Sequence, residues 1–164
     1  MTIFPRCVRF VLNTRNFCGS SSVPLLEIGS KSKITKSFSS NDVQLFANLT
    51  HDRNPIHLDE DFVKTTRFKK KVVHGILCVG LLSGVLGTVF PGPGSIMLSC
   101  EMRYPAPLYI NEEVTAEVIV RNIQGRKVTF DTKCIVESTG KIVCEGMAQL
   151  LVPRNRLSAT NGHR

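Results

Sequence analysis

Three of the four histidines in this 164-residue sequence, His51, His57 and His74, fall between positions 51 and 74, and Asp52 lies among them. In Asp52-Arg53-Asn54-Pro55-Ile56-His57 a carboxylate and an imidazole stand five residues apart across an Asn-Pro step. Proline pushes the residue before it out of the helical region, so the segment reads as a rigid turn able to aim both side chains into one pocket. Imidazole titrates near neutrality, and a nearby carboxylate can orient or share its proton. The pair therefore suits moving protons onto and off carbon and oxygen. On spacing alone, Asp52 and His57 read as well as an exposed ion pair on a loop. His74 then reads as a packing histidine and His51 as a solvent-facing one.

The elements downstream give the pair a different setting. Val72-Val73-His74-Gly75 opens a run of 19 residues, ending at Phe90, with no formally charged side chain. A helix start presents unpaired backbone N–H groups and a partial positive charge. Gly75 at that start lets a carbonyl oxygen approach the backbone closely, as an oxyanion site requires. The run is also long enough to cross a membrane, and Gly80 and Gly84 supply a G-x-x-x-G spacing. Against a span stand His74, Ser83, four glycines, and the need of the remaining chain for an apolar centre. The soluble reading is a helix of about 15 residues, buried on all sides, with its glycines letting strands approach. Pro91-Gly92-Pro93-Gly94 stops it.

Around this helix the periodicity is that of a sheet. Ile34 to Phe38 alternates as a short strand, and Ser39 or Ser40 offers an N-cap for a helix over about 41–49. His51 to Leu58 reads as a loop, and Asp59 to Thr66 as a second short helix. After the stop, Ser95 to Tyr104 gives a strand. Val114, Ala116, Val118 and Val120 then alternate with polar neighbours, as do Val128, Phe130, Thr132, Cys134 and Val136, and Ile142 to Val152 adds a further strand. Turns are expected at Gln124-Gly125-Arg126 and Ser138-Thr139-Gly140. The fold class is α+β, a long central apolar helix wrapped by a curved antiparallel β-sheet.

Composition frames the rest. With 42% hydrophobic and 21% charged residues the chain suits one folded domain. Residues 1–26 carry Arg6, Arg9 and Arg15 among apolar residues and no acid before Glu27, the composition of a mitochondrial transit peptide with a Gly/Ser-rich linker. The domain is expected over 27–153, with a frayed polar tail over 154–164. Beyond the presequence the body keeps 18 basic and 13 acidic side chains, about +5, which favours anionic partners. Nucleic acid fits poorly, because there are two tyrosines, no tryptophan and only scattered basic residues. Cys7, Cys18, Cys78, Cys100, Cys134 and Cys144 form no C-x-x-C pair and read as free thiols rather than disulfides or zinc ligands.

Taken in order, Asp52, Asn54-Pro55, His57 and then Val73-His74-Gly75-Ile76-Leu77 with Leu82-Ser83-Gly84 resemble the motifs of the R-specific enoyl-thioester hydratases and MaoC-like dehydratases of the hotdog superfamily. The resemblance covers roughly Ile34 to Val152 and is strongest to the mitochondrial hydroxyacyl-thioester dehydratases. It implies a hotdog fold that pairs into a homodimer. It also implies that Asp52 and His57 hold a catalytic water, that the Gly75 amide binds a thioester carbonyl, and that Ser83 fixes the site by a hydrogen bond, with Asn54 and Pro55 supporting the loop. Ser83 lies eight residues beyond Gly75, about two turns on; it reads equally as a small packing residue. The implied reaction is dehydration of a (3R)-hydroxyacyl thioester, or its reverse, on acyl carrier protein or coenzyme A, with no cofactor and no metal. The implied place is the mitochondrial matrix, in fatty acid synthesis. A hotdog thioesterase, whose carboxylate would drive water onto C1, is the rival among enzymes.

Overall fold

The computed structural model describes residues 25–157. The transit peptide expected over 1–26 lies outside these apart from its last two residues, as do Cys7, Cys18 and the end of the tail. Five strands, β1 (Lys31–Ser37), β2 (Ile96–Arg103), β3 (Glu113–Gln124), β4 (Lys127–Val136) and β5 (Ile142–Leu151), form one antiparallel sheet in the order β1-β3-β4-β5-β2. The inner faces of β3 and β4 are the residues the alternation picks out, Val114 to Val120 and Val128 to Val136 at every second position, all buried. Gly125 and Gly140, both at positive φ, make the turns between β3 and β4 and between β4 and β5.

Across the inner face lies α4 (Gly75–Gly84), which continues as a π turn over Val85–Val89, where the Phe90 amide reaches back to the Val85 carbonyl at 2.8 Å. The length matches the expected 15 residues; the burial does not. Cys78, Leu82, Val85 and Leu86 are buried against the sheet, whereas Ile76, Gly80, Ser83 and Gly87 form an exposed stripe. A Cβ added at Gly80, Gly84 or Gly87 would meet nothing within 4 Å, so no strand approaches through these glycines. One sheet covers only one side of a helix. No described helix is long and apolar enough to cross a membrane.

Before the central helix come α1 (Ser40–Thr50), α2 (Pro55–Leu58) and α3 (Glu60–Thr65). Ser39 caps α1 in a capping box with Asp42, whose carboxylate accepts from the Ser39 amide and hydroxyl at 2.8 Å. The segment expected as a loop up to Leu58 instead contains α2, because Asn54 and Pro55 serve as N-cap and first helical residue. The packed body also extends past both expected boundaries. Leu26 is buried and its amide bonds the Arg156 carbonyl at 2.9 Å, while Arg156 and Leu157 are buried at the other end. Residues 154–157 are thus a packed short 3-10 turn and its cap rather than tail.

Candidate active site

Asp52 and His57 are brought together by two successive turns in which each side chain fixes the next backbone. The Asp52 Oδ1 accepts from the Asn54 amide at 3.3 Å, and the Asn54 Oδ1 accepts from the Ile56 amide at 3.3 Å. These side-chain turns start α2, and Pro55 presets its first φ. His57 is thereby carried on a helical turn. Its Nδ1 lies 2.7 Å from the Val72 carbonyl, which can only accept, so Nδ1 carries the proton and Nε2 keeps its lone pair. The Val72 amide in turn bonds the Ile56 carbonyl at 3.2 Å, and Val73 is held by the Leu108 carbonyl at 2.8 Å. The strand-like stretch before α4 is therefore locked to α2.

His74 completes the cluster. Its ring stacks on His57 with centroids 3.8 Å apart and planes tilted by 27°, and Phe46 from α1 packs beside it at 4.9 Å. Its Nε2 lies 3.0 Å from the Asp52 carbonyl and 3.9 Å from the Asp52 Oδ2. Nδ1 of His74 is buried and has no partner. Spacing alone offers no reason to raise this histidine above a packing residue. Its signals in the sequence are its place beside Gly75 at a helix start and its part in the Val73-His74-Gly75 motif.

The cluster opens into a cavity of about 420 Å³, walled by Gly75 and Ile76 of α4, Tyr104, the Pro105-Ala106-Pro107 turn, Arg67 and Phe68. That volume lies in the range of small-molecule sites. His74 is the N-cap of α4 but makes no capping bond, so the first-turn amides, Gly75 among them, are left uncapped by a side chain beside the cavity. A Cβ at Gly75 would sit 2.9 Å from Cε1 of Tyr104, which is why this position takes no side chain. Ser83 is not in this wall; it stands on the exposed stripe of the helix. Eight helical residues advance about 80° beyond two full turns, enough to leave the face of Gly75.

Electrostatics favour a neutral His57. Burial pulls its pKa below the ordinary value and His74 acts in the same direction, while the Val72 carbonyl and Asp52 oppose. Asp52 is exposed over half its side chain. One atom from each of Asp52, His57 and His74 lies within 4.8 Å of the others, a spacing that invites a metal. The rings do not fit one. Two imidazoles stacked at 3.8 Å and tilted by 27° lie in nearly parallel planes, so a single ion about 2.0–2.1 Å from a nitrogen of each cannot lie in the plane of both rings, where the lone pairs point. A separation of up to 4.8 Å between a carboxylate oxygen of Asp52 and a ring nitrogen of His57 suits a bridging water instead. A second depression, on the outer face of the sheet, is lined by the pairs Arg103–Glu145, Arg121–Asp131 and Lys133–Glu117, which neutralise one another.

Known proteins share this arrangement of helix, sheet and loop. The (R)-specific enoyl-CoA hydratase of Rhodospirillum rubrum is 43% identical over 127 residues, covering 76% of this chain and 87% of that protein. The mitochondrial 3-hydroxyacyl-[acyl-carrier-protein] dehydratase of Arabidopsis thaliana is 30% identical over 156 residues, covering 93% of this chain and 91% of its own length. The solved structure of the (R)-hydratase from A. caviae involved in PHA biosynthesis superposes with a TM-score of 0.75 at 38% identity, covering 78% of this chain and 98% of that one. The hotdog reading of the sequence thus holds. The MaoC like domain matches residues 26–143, a span that takes in the Asp52 turn, the stacked histidines and the central helix, and the chain belongs to that family.

Proposed function

We propose that this chain is a (3R)-3-hydroxyacyl-thioester dehydratase and trans-2-enoyl-thioester hydratase, with Asp52 and His57 as its catalytic pair. The observation that carries the reading is the gathering of an Asp52 carboxylate oxygen and one ring nitrogen each of His57 and His74 within 4.8 Å of one another beside the uncapped start of α4, with the Nε2 lone pair of His57 left free by the bond from its Nδ1 to Val72. In the hydration direction the water oxygen adds to C3 while the pair takes a water proton, and that proton is then delivered to C2. One C–O and one C–H bond form as one water O–H bond and the C2–C3 π bond break, and the pair returns to its starting state. Negative charge that develops on the thioester oxygen meets the Gly75 amide and the positive end of the helix. The site's own groups supply all of this without cofactor or metal.

Three further parts belong to the same proposal. The physiological substrate is bound to acyl carrier protein in the mitochondrial matrix, with coenzyme A thioesters as its in vitro counterpart. This is supported by the basic, acid-free presequence and by the Arabidopsis relative's own designation. It is supported too by cations: Arg67 lines the cavity, and it and Arg53, Lys69 and Lys70, which adjoin lining residues or one another in sequence, have no ion partner among the described residues, whereas Lys64 and Lys71 are paired to Asp61 and Glu60. The chain works as a homodimer, because β2 is an edge strand whose Ile96, Met97 and Leu98 are exposed. Ser83, on the open face of α4, acts within that dimer rather than in its own chain's cavity. Incubation with trans-2-enoyl-CoA tests the reaction. Loss of the conjugated enoyl absorbance without release of free thiol is expected, whereas thiol release would identify the thioesterase chemistry.

A further inference from the structure

Resting on the hydratase reading, we propose that His74 is the positioning residue of the catalytic pair, tethering the Asp52 main chain through Nε2 and clamping the His57 ring by stacking so that both reactive atoms face the cavity. An imidazole at 1% exposure loses its hydration and must recover it in hydrogen bonds. His74 recovers only half, since Nε2–H donates to the Asp52 carbonyl at 3.0 Å while Nδ1 finds nothing. A leucine or phenylalanine would fill the same space without an orphaned nitrogen, so packing does not account for a histidine here. What the imidazole alone supplies is the pair of contacts it makes: one edge reaches the residue bearing the carboxylate, and one face covers the ring bearing the lone pair.

The helix start bears this out. An Asn, Asp, Ser or Thr at this N-cap would bond the first-turn amides and stabilise the helix. His74 sits at the N-cap and bonds none of them. Its side chain instead turns toward Asp52, which both holds the pair and keeps the Gly75 end of α4 open to a carbonyl. His57 is then fixed twice over, by the bond from Nδ1 to the Val72 carbonyl and by the stack. The titratable groups sharing that wall are Asp52 from the turn before α2, Arg67 from the stretch after α3, Cys78 from α4 and Tyr104 just beyond β2. Of these Asp52 favours a protonated His57, while burial and His74 disfavour it.

Two substitutions separate the two contacts. His74→Phe keeps the stack and loses the tether; kcat should fall about 10–10²-fold, the scale of a small misplacement of reacting groups, with KM little changed. His74→Gln keeps a donor and loses the stack; the acid limb of kcat/KM should move to higher pH as His57 is relieved of its neighbour. A residue that only packs would lower the melting temperature of both variants and leave kcat per folded site and the acid limb where they were, and that result overturns the proposal. If neither variant folds, nitrogen NMR of histidine-labelled wild-type protein decides. Protons on Nε2 of His74 and Nδ1 of His57 support the clamp, and the opposite tautomer at His74 overturns it. A wild-type protein with those tautomers but no hydration of enoyl thioesters would contradict the functional reading alone.

Discussion

At the scale of single residues, the site is a carboxylate and an imidazole joined by one short turn, and a second imidazole that reaches both from the start of α4. Asp52, Asn54, Pro55 and His57 lie in one hexapeptide, so the sequence displays both the reactive types and the turn that joins them. His74 acts across 22 residues on Asp52 and 17 on His57, by a stack and a main-chain bond that no spacing rule reports. Gly75 was readable as a close-approach position, but the neighbour that enforces it, Tyr104, comes from just beyond the far end of a strand. Gly75→Ala should push the Tyr104 ring aside and shift the amide at the helix start. A loss in kcat/KM of about 10²-fold is expected, measured with enoyl-CoA at constant folded concentration. The pH dependence follows from His57. Its folded pKa lies below the ordinary 6.5, so the lone pair at Nε2 persists below that pH and is lost as pH falls through the folded value. The acid limb of kcat/KM should therefore lie below pH 6.5. Stability carries the same sign: the unfolded chain takes up the proton first, so folding free energy falls as pH drops from about 6.5 through the folded value. An acid limb above 6.5 would contradict the burial of this ring.

At the scale of elements, periodicity gave the strands and the helices, and contacts decided the rest. The inner faces of β3 and β4 were plain in the alternation because each strand has one dry side. The central helix was read as buried all round because its own residues are apolar nearly throughout. In the structure its burial is set by the sheet, which reaches only the side of Cys78, Leu82 and Leu86. The π turn at Val85–Val89 leaves no mark that composition could show. Asn54-Pro55 signalled a turn, yet the same two residues are a helix N-cap and its first residue, and only the following contacts distinguish the two. The N-cap was more direct, since a serine before a helical apolar pattern has one common use, and of Ser39 and Ser40 it is Ser39 that caps α1. Burial opposes ionisation of Asp42, and the Ser39 amide and hydroxyl with Lys36 outweigh it, holding the carboxyl below its ordinary pKa. Ser39→Ala should cost about 1 kcal/mol of stability in denaturant unfolding while leaving kcat within twofold. An unchanged midpoint would mean that α1 is held by packing of Val43 and Ala47 alone.

At the scale of the whole molecule, the strand order could not be read from the sequence: β2 precedes β3 in the chain but closes the far edge beside β5. That placement leaves Ile96, Met97 and Leu98 on an outer edge, and Gly146 of β5 admits the β2 backbone so closely that a Cβ there would collide with the Glu101 carbonyl. Leu98→Glu should turn a homodimer into a monomer of half its mass in sedimentation equilibrium; a wild-type protein that is already monomeric would remove the paired assembly from the proposal. One chemical claim underlies the proposed reaction, that Asp52 and His57 act together on one water. It is tested most directly by the hydration rate of trans-2-enoyl-CoA in Asp52→Asn, His57→Gln, the double variant and His51→Gln. Each single change should remove about 10²–10⁴-fold with little change in melting temperature, the double should lose little beyond the worse single, and the exposed His51 should be dispensable. Near-normal rates in Asp52→Asn and His57→Gln, with the loss falling on His51→Gln instead, would contradict it.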